Sequence, residues 1–413
     1  MTETKDDVDS NAKNSQMKIT EKVKDSISYC FNCNRCTNVC PLSHLDIFSP
    51  RQLINDLSFL PLQEALENNN IWRCLTCGQC NEYCPMTKEQ EGVNIPDLIL
   101  ELRKFAKNLV YEKEKIEQSE THDGMFSLIT EMQVKNPSPP NKLDFLSDTG
   151  LKTAESGEIA YFVGCLPFME EILFNLGIKY SDIAKSIIGL LNEGGIKPVV
   201  LNEKCCGHDI LWGQADKETF KKLAEYNVDL YREAGVKTII VGCAEGYRTW
   251  KIDYPKIIKD FDFEVLHFSE FLLKNNILDN LRFPRDLDVK VTYHDPCRLG
   301  RLGDGLYDAP RTIIEQIPGV ELVEMDNIRE DANCCGVSAF SGCNEYTRIL
   351  RKNRIEEAIN TGAEYLLVAC PKCLSHFNCY LDEPTVKKET QNKEKQIKIR
   401  DIASFLGELL YLT

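Results

Sequence analysis

Cys297, the adjacent pair Cys334-Cys335 followed by Gly336, and the run Cys370-Pro371-Lys372-Cys373 place five thiols in the last third of this chain. Thiolate sulfur is a soft donor, suited to zinc, copper(I) or iron–sulfur clusters. A structural zinc site needs four ligands in two spaced pairs, so a fifth thiol and an adjacent pair exceed what zinc requires. Five soft ligands, with a glycine that lets the backbone close in, suit a bulky iron–sulfur cluster better. Two runs near the N-terminus share a second pattern, Cys30-x2-Cys33-x2-Cys36-x3-Cys40-Pro41 and Cys74-x2-Cys77-x2-Cys80-x3-Cys84-Pro85. Three closely spaced thiolates wrap one corner of a [4Fe–4S] cubane, and the fourth, ahead of a chain-turning proline, ligates the neighbouring cluster. Two zinc knuckles would need neither four cysteines per run nor the proline. The expected ligands are Cys30, Cys33, Cys36 and Cys84 for one cubane and Cys74, Cys77, Cys80 and Cys40 for the other.

A fainter copy of the five-thiol pattern lies between these sets, at Cys165, Cys205-Cys206-Gly207 and Cys243. Gly246 stands where its fifth thiol belongs. Four thiols could hold a cubane, a smaller cluster or nothing, and all three readings stay open. His208 and His294 lie beside cysteines of the two patterns, and His376 follows Cys373 by three residues. Each could ligate iron, donate a proton to a leaving thiolate, or simply be hydrogen-bonded nearby. Glu245 and Lys372 sit inside the two terminal motifs as further polar neighbours. Cys343 and Cys379 fit neither pattern and read as small buried hydrophobes.

The elements that must position these thiols are legible around them. Short apolar runs precede the cysteines, as in EIAYFVGC (158–165), KTIIVGC (237–243), VKVTYHDPC (289–297) and EYLLVAC (364–370). Alternating with helical stretches, they read as buried parallel strands, whose carboxyl ends are where α/β sheets gather ligands. Strands, cysteines and a closing strand-plus-helix recur with a period of about 130 residues. The pattern predicts an α/β fold of two pseudo-symmetric, Rossmann-like units, 158–280 with an incomplete cysteine set and 281–413 with a complete one. Ahead of them, helical periodicity over 17–29, 49–73 and 97–118 predicts an all-α two-cluster ferredoxin domain spanning 17–118. Residues 1–16 read as a disordered tail, and the Pro- and Gly-bearing stretch 119–157 as a linker.

The 64 acidic residues outnumber the 49 basic ones, for a net charge of −15, which argues against nucleic acid as a partner. No apolar run reaches the roughly 18–20 residues that span a bilayer, so no transmembrane segment is expected. The polar N-terminus lacks a signal peptide's apolar stretch. Nineteen cysteines without a secretion signal point to metal or redox chemistry rather than disulfides, and to the cytoplasm. No G-x-G-x-x-G follows a strand, so a flavin or nicotinamide would belong to a partner.

The motifs carry a resemblance. WRCLTCGQCNEYCP, SPRQLI and IPDLILELRK resemble the C subunit of heterodisulfide reductase, and YFVGC, HDPCRLGR, NCCG and CPKC resemble its B subunit. Their fusion in this order resembles the D subunit of the same enzyme family, and also the K subunit of the membrane complex serving dissimilatory sulfite reductase. The resemblance implies a noncubane [4Fe–4S] cluster on Cys297, Cys334, Cys335, Cys370 and Cys373, where a disulfide is reduced with electrons passed through the two cubanes. It implies as partner an electron-donor subunit, either a membrane b-type cytochrome or a flavin-bearing A-like subunit, which could hold the chain at the cytoplasmic face. The substrate implied is the coenzyme M–coenzyme B heterodisulfide. Gly246 breaks the carry-over in the first unit and favours another disulfide, such as one on a small carrier protein. Iron–sulfur subunits of glycolate, lactate and glycerol-3-phosphate dehydrogenases share both cysteine-rich parts, so an electron relay with no substrate of its own is the alternative.

Overall fold

The computed structural model describes residues 21, 23–87, 92–136, 141–284, 287–338, 342–390 and 397–410. The stretch 1–16, expected as a tail, lies outside them. The N-terminal module is helical and has its own core, in which Leu53, Ile71, Ile99 and Leu102 are buried. Ser49 caps α1 (Pro50–Phe59) by accepting the Gln52 N–H at 3.3 Å, and Pro50 sits where a missing N–H costs nothing. Asn94 likewise accepts the Asp97 N–H at 3.2 Å ahead of α2 (Ile95–Ala106). The single helix expected over 97–118 is broken. α2 stops at Ala106 and α3 (Lys113–Ser119) resumes after a turn at Val110–Glu112. There the buried Glu112 carboxylate accepts from Trp72 Nε1 and from Lys115 Nζ, each at 2.7 Å, and this inward carboxylate holds the turn.

Residues 119–157 do more than connect. They include α4 (Met125–Lys135), whose Thr130 hydroxyl donates to Asp209 at 2.9 Å and whose Gln133 side chain accepts the Cys205 N–H at 2.8 Å. Further on, Lys142 Nζ meets both Glu203 and the Gly164 carbonyl at 2.7 Å, and Glu203 also accepts the Gly164 N–H at 2.9 Å. Both side chains of this pair are essentially sealed from water, at 2% and 0% exposure. Removing one partner strands a buried charge, so Lys142→Ala is expected to cost about 3–5 kcal/mol. Urea unfolding of the purified protein measures this, and a loss under about 1 kcal/mol would refute a structural role for the segment.

The α/β half contains two parallel sheets. In the first unit β1 (Ile159–Phe162) pairs with β2 (Thr238–Val241), which pairs with β3 (Glu264–His267). In the second, β4 (Val289–His294) lies between β5 (Val320–Leu322) and β6 (Tyr365–Val368), with β7 (Lys398–Asp401) beyond β6. In the first unit the position corresponding to β5 holds only isolated bridges from Val199 to Ala154 and Ala160. Pro198, with no N–H, limits its ladder. The repeat is otherwise kept in register, for Phe162 pairs with Val241 as His294 pairs with Val368. The two units share one core, and the helix Ser181–Glu193 of the first packs on Ile402–Leu410 of the second. They also meet at the carboxyl ends of β2 and β6, where the Ala244 N–H donates to the Ala369 carbonyl at 3.2 Å. No helix among the described residues is long and apolar enough to cross a membrane.

Candidate iron–sulfur centres

The two N-terminal cysteine runs fold alike. Between their thiols the chain passes through left-handed residues, Asn32 and Asn34 in the first run (φ 59° and 66°) and Thr76 and Gly78 in the second (φ 45° and 79°). Alternating hands turn successive backbone N–H groups into a concave cradle for an anionic group. Cys84 comes to lie near Cys36 and Cys30, whereas Cys40 faces Cys74, Cys77 and Cys80. Each fourth cysteine thus lies beside thiols of the other run. Cys40, Cys74, Cys77 and Cys80 line an apolar cavity, so the donor set and its surroundings fit a cluster. Burial pushes the Cys74 thiol up to about 12 and Cys36 up to about 11, a desolvation that a bound cation would offset. The first set opens to solvent at Cys33, beside exposed Tyr29 and Phe31. The second is interior.

The five thiols of the second unit meet this interior set directly. The Cys77 thiol donates to Cys334, and Cys334 donates to Cys335. Cys373 donates to Cys335 at 3.3 Å and lies beside Cys370, which also meets Cys243 of the first unit. An unbroken line of sulfurs therefore runs from the helical module through the second unit to the edge of the first. These donors lower Cys335 to about 6 and hold Cys370 well below the usual thiol range, whereas burial and donation raise Cys334 and Cys373. Gly336 permits the approach, with φ at 88° and a would-be Cβ only 2.6 Å from the Thr347 carbonyl oxygen. Its N–H donates to Cys334 Sγ at 3.4 Å, as Gly207 does to Cys205 at the same distance. The chemistry and packing of this set fit a five-thiolate cluster.

The first unit does not match it. Cys165, Cys205, Cys206 and Cys243 line a cavity shared with His208, Asp209, Glu245 and Lys372, and closed by Phe126, Ile129 and Gln133 of α4. Lys372, from the second unit's CPKC run, crosses into this cavity and forms a buried ion pair with Glu245. A Cβ on Gly246 would lie 3.0 Å from Val241 Cγ1, so the Val241 side chain leaves little room for a fifth thiol there.

Two arginines that sequence reasoning passed over bind the centres together. Arg298 follows Cys297 and is 1% exposed. Its Nη1 donates to the Thr76 carbonyl and approaches Cys297 Sγ at 3.6 Å. Its Nη2 donates to Thr76 Oγ1 and Ser338 Oγ, each at 2.8 Å, and its Nε donates to His208 Nε2 at 3.2 Å. Arg301 donates from Nε to the Cys77 carbonyl at 3.1 Å and from Nη1 to Ala332 at 2.7 Å. The only signal was their place at i and i+3 in HDPCRLGR, just after a candidate ligand.

The three histidines divide. His208 Nδ1 pairs with Thr249 Oγ1 at 3.0 Å, so with Arg298 on Nε2 both its ring nitrogens are engaged. A ring nitrogen of His294 lies within 4.8 Å of Cys335 and Cys373 Sγ. His376 is buried with no hydrogen-bond partner on Nδ1. Cys343 is exposed and Cys379 half-buried, so neither is the core filler expected; Cys343 sits 4.0 Å from Arg351 Nη1, and burial raises Cys379.

Residues 159–247 and 291–378 each match the cysteine-rich CCG domain, and residues 26–87 match the 4Fe-4S dicluster domain. The chain is 31% identical over 290 residues to the D subunit of the dihydromethanophenazine:CoB–CoM heterodisulfide reductase of Methanosarcina barkeri, covering 68% of this chain and 66% of that one. Against the corresponding protein from Methanosarcina acetivorans it is 34% identical over 230 residues, 54% of either chain. The matched stretch thus spans about half to two thirds of these curated relatives. A crystal structure of a hypothetical protein from Helicobacter pylori shares the fold, with a TM-score of 0.52 at 12% identity, covering 94% of this chain and 72% of that one.

Proposed function

This chain belongs to the heterodisulfide reductase D-subunit family of iron–sulfur proteins, and from that membership we propose that it is the disulfide-reducing subunit of a larger complex. Cys30, Cys33, Cys36 and Cys84 would hold one [4Fe–4S] cubane, and Cys74, Cys77, Cys80 and Cys40 the second. Cys297, Cys334, Cys335, Cys370 and Cys373 would hold a noncubane [4Fe–4S] cluster. Bound there, such a cluster supplies thiophilic iron and one-electron steps to a reaction that consumes two electrons and two protons and yields two thiols. The observation that carries this reading is the line of sulfurs from Cys77 to Cys370.

The chain's own residues divide the work. Cys33 and its aromatic neighbours present the first thiol set to an electron-donor subunit, with a b-type cytochrome or a flavoprotein as the candidates. Arg298 and Arg301 hold the second set's loop against the five-thiol site and offset negative charge between them. Burial of that site excludes water from the reacting sulfur. The substrate is a disulfide, the coenzyme M–coenzyme B heterodisulfide or a relative of it.

Anaerobic turnover with reduced viologen tests the proposal, using that heterodisulfide and simpler disulfides, with paramagnetic resonance of the oxidised protein plus each thiol. Turnover with a thiol-dependent signal is expected. Reducible cubanes with neither would leave the second reading, an electron relay, which Gly246 and the Lys372–Glu245 pair favour because a relay tolerates a lost ligand.

A further inference from the structure

The donor nitrogen of His294 is decided by its other neighbour. Arg354, fully buried, directs its Nε–H at His294 Nδ1 over 3.1 Å. An arginine Nε is always a donor, so Nδ1 must present its lone pair. The imidazole is therefore neutral and its single proton is on Nε2. Arg354 is itself fixed, because its Nη1 donates to Glu357 at 2.7 Å and to the Asn327 carbonyl at 2.8 Å. Phe377 meets the imidazole edge-on, with ring centroids 5.1 Å apart, and confines its rotation. An Nε2 that carries a proton cannot ligate iron, so an N–H is what His294 has left to offer the thiols beside it, the Cys335 and Cys373 sulfurs lying within 4.8 Å of one of its ring nitrogens.

The first unit lacks this device. Its residue at the same register position is Phe162, which packs edge-on against Trp250 at 5.4 Å and can donate nothing. The two units thus differ at a second position besides Gly246. Hydrogen bonds to ligand sulfur disperse the negative charge gained on reduction and raise the potential of an iron–sulfur group.

We infer that His294, held by Arg354, is a positioning residue that donates an N–H to the Cys335 and Cys373 sulfurs and thereby makes the second unit the electron-accepting end of the chain. This rests on the functional reading above. The test is an anaerobic redox titration read by paramagnetic resonance, with iron and sulfide counted. It compares wild type, His294→Phe, which copies the first unit, and His294→Gln, whose amide reaches the Nε2 position.

Phe is expected to keep iron and sulfide, lower the second-unit midpoint potential and leave the cubane potentials in place. Gln is expected to restore part of the shift. An unmoved second-unit potential in His294→Phe overturns the inference. So does loss of second-unit iron in both variants, which would make the imidazole a ligand. A wild type with no second-unit signal overturns the functional reading instead. Nitrogen NMR of histidine-labelled protein then decides the inference: a His294 proton on Nε2 upholds it and one on Nδ1 refutes it.

Discussion

Cys373→Ala is expected to abolish disulfide turnover, a loss on the order of a thousandfold or more, while both cubanes remain reducible by dithionite. Cys373 is the thiol that donates to Cys335 at 3.3 Å and lies beside Cys370, so it joins the two arms of the second-unit set. Removing it leaves four thiols, the number that the first unit retains at Cys165, Cys205, Cys206 and Cys243. The fold should survive. The lost sulfur leaves a hole smaller than a methylene-deletion series typically explores, at a cost of about 1–2 kcal/mol. The helical module has its own buried core, to which the second unit contributes Cys334 and Leu350 with Cys297 and Tyr346 packed against it. Turnover retained with all second-unit iron present would remove Cys373 from the active set.

Arg298→Lys is expected to slow second-unit reduction on the order of 10- to 100-fold while changing disulfide affinity little, because it loosens a junction rather than a binding site. Lysine keeps the charge but is a point donor, without the planar fork that here reaches Thr76, Ser338 and His208 at once. Thr76 is the sensitive partner. A β-branched residue at φ 45° stores roughly 1–3 kcal/mol of strain, and both its carbonyl and its hydroxyl are held by Arg298. Freed from the fork, the Cys74–Cys77 loop relaxes and the Cys77–Cys334 contact opens. Stopped-flow reduction of the cubanes, followed by the slower appearance of the reduced second-unit signal, measures the step. Unchanged kinetics with full iron content would show that Arg298 serves folding alone.

Much of this molecule was open to a reader of the chain. The two N-terminal cysteine runs are legible because cysteine spacing on a tight loop is set by covalent geometry, whereas the fold brings Cys84 near Cys36 and Cys40 near Cys77. The α/β repeat is legible because Cys165, Cys243, Cys297 and Cys370 each follow a buried strand, and register then repeats from Phe162 to His294. The break after Ala106 was not legible. It depends on Trp72, forty residues away, drawing the Glu112 carboxylate inward. The packing of Thr130, Gln133 and Lys142 was not legible for the same reason, since each finds a partner far along the chain in the first unit.

The sequence by itself determined where soft thiol donors cluster, and that the second unit carries five of them where the first carries four, because donor chemistry depends on residue type and local spacing. Tertiary structure alone decided which sets touch. That Cys77 meets Cys334, that Lys372 crosses into the other unit's cavity, and that Arg298 spans all three modules are contacts between residues far apart along the chain. Local pattern holds no information on such distances. Packing three separate elements into one buried volume sets them, and with them the order of the sulfurs.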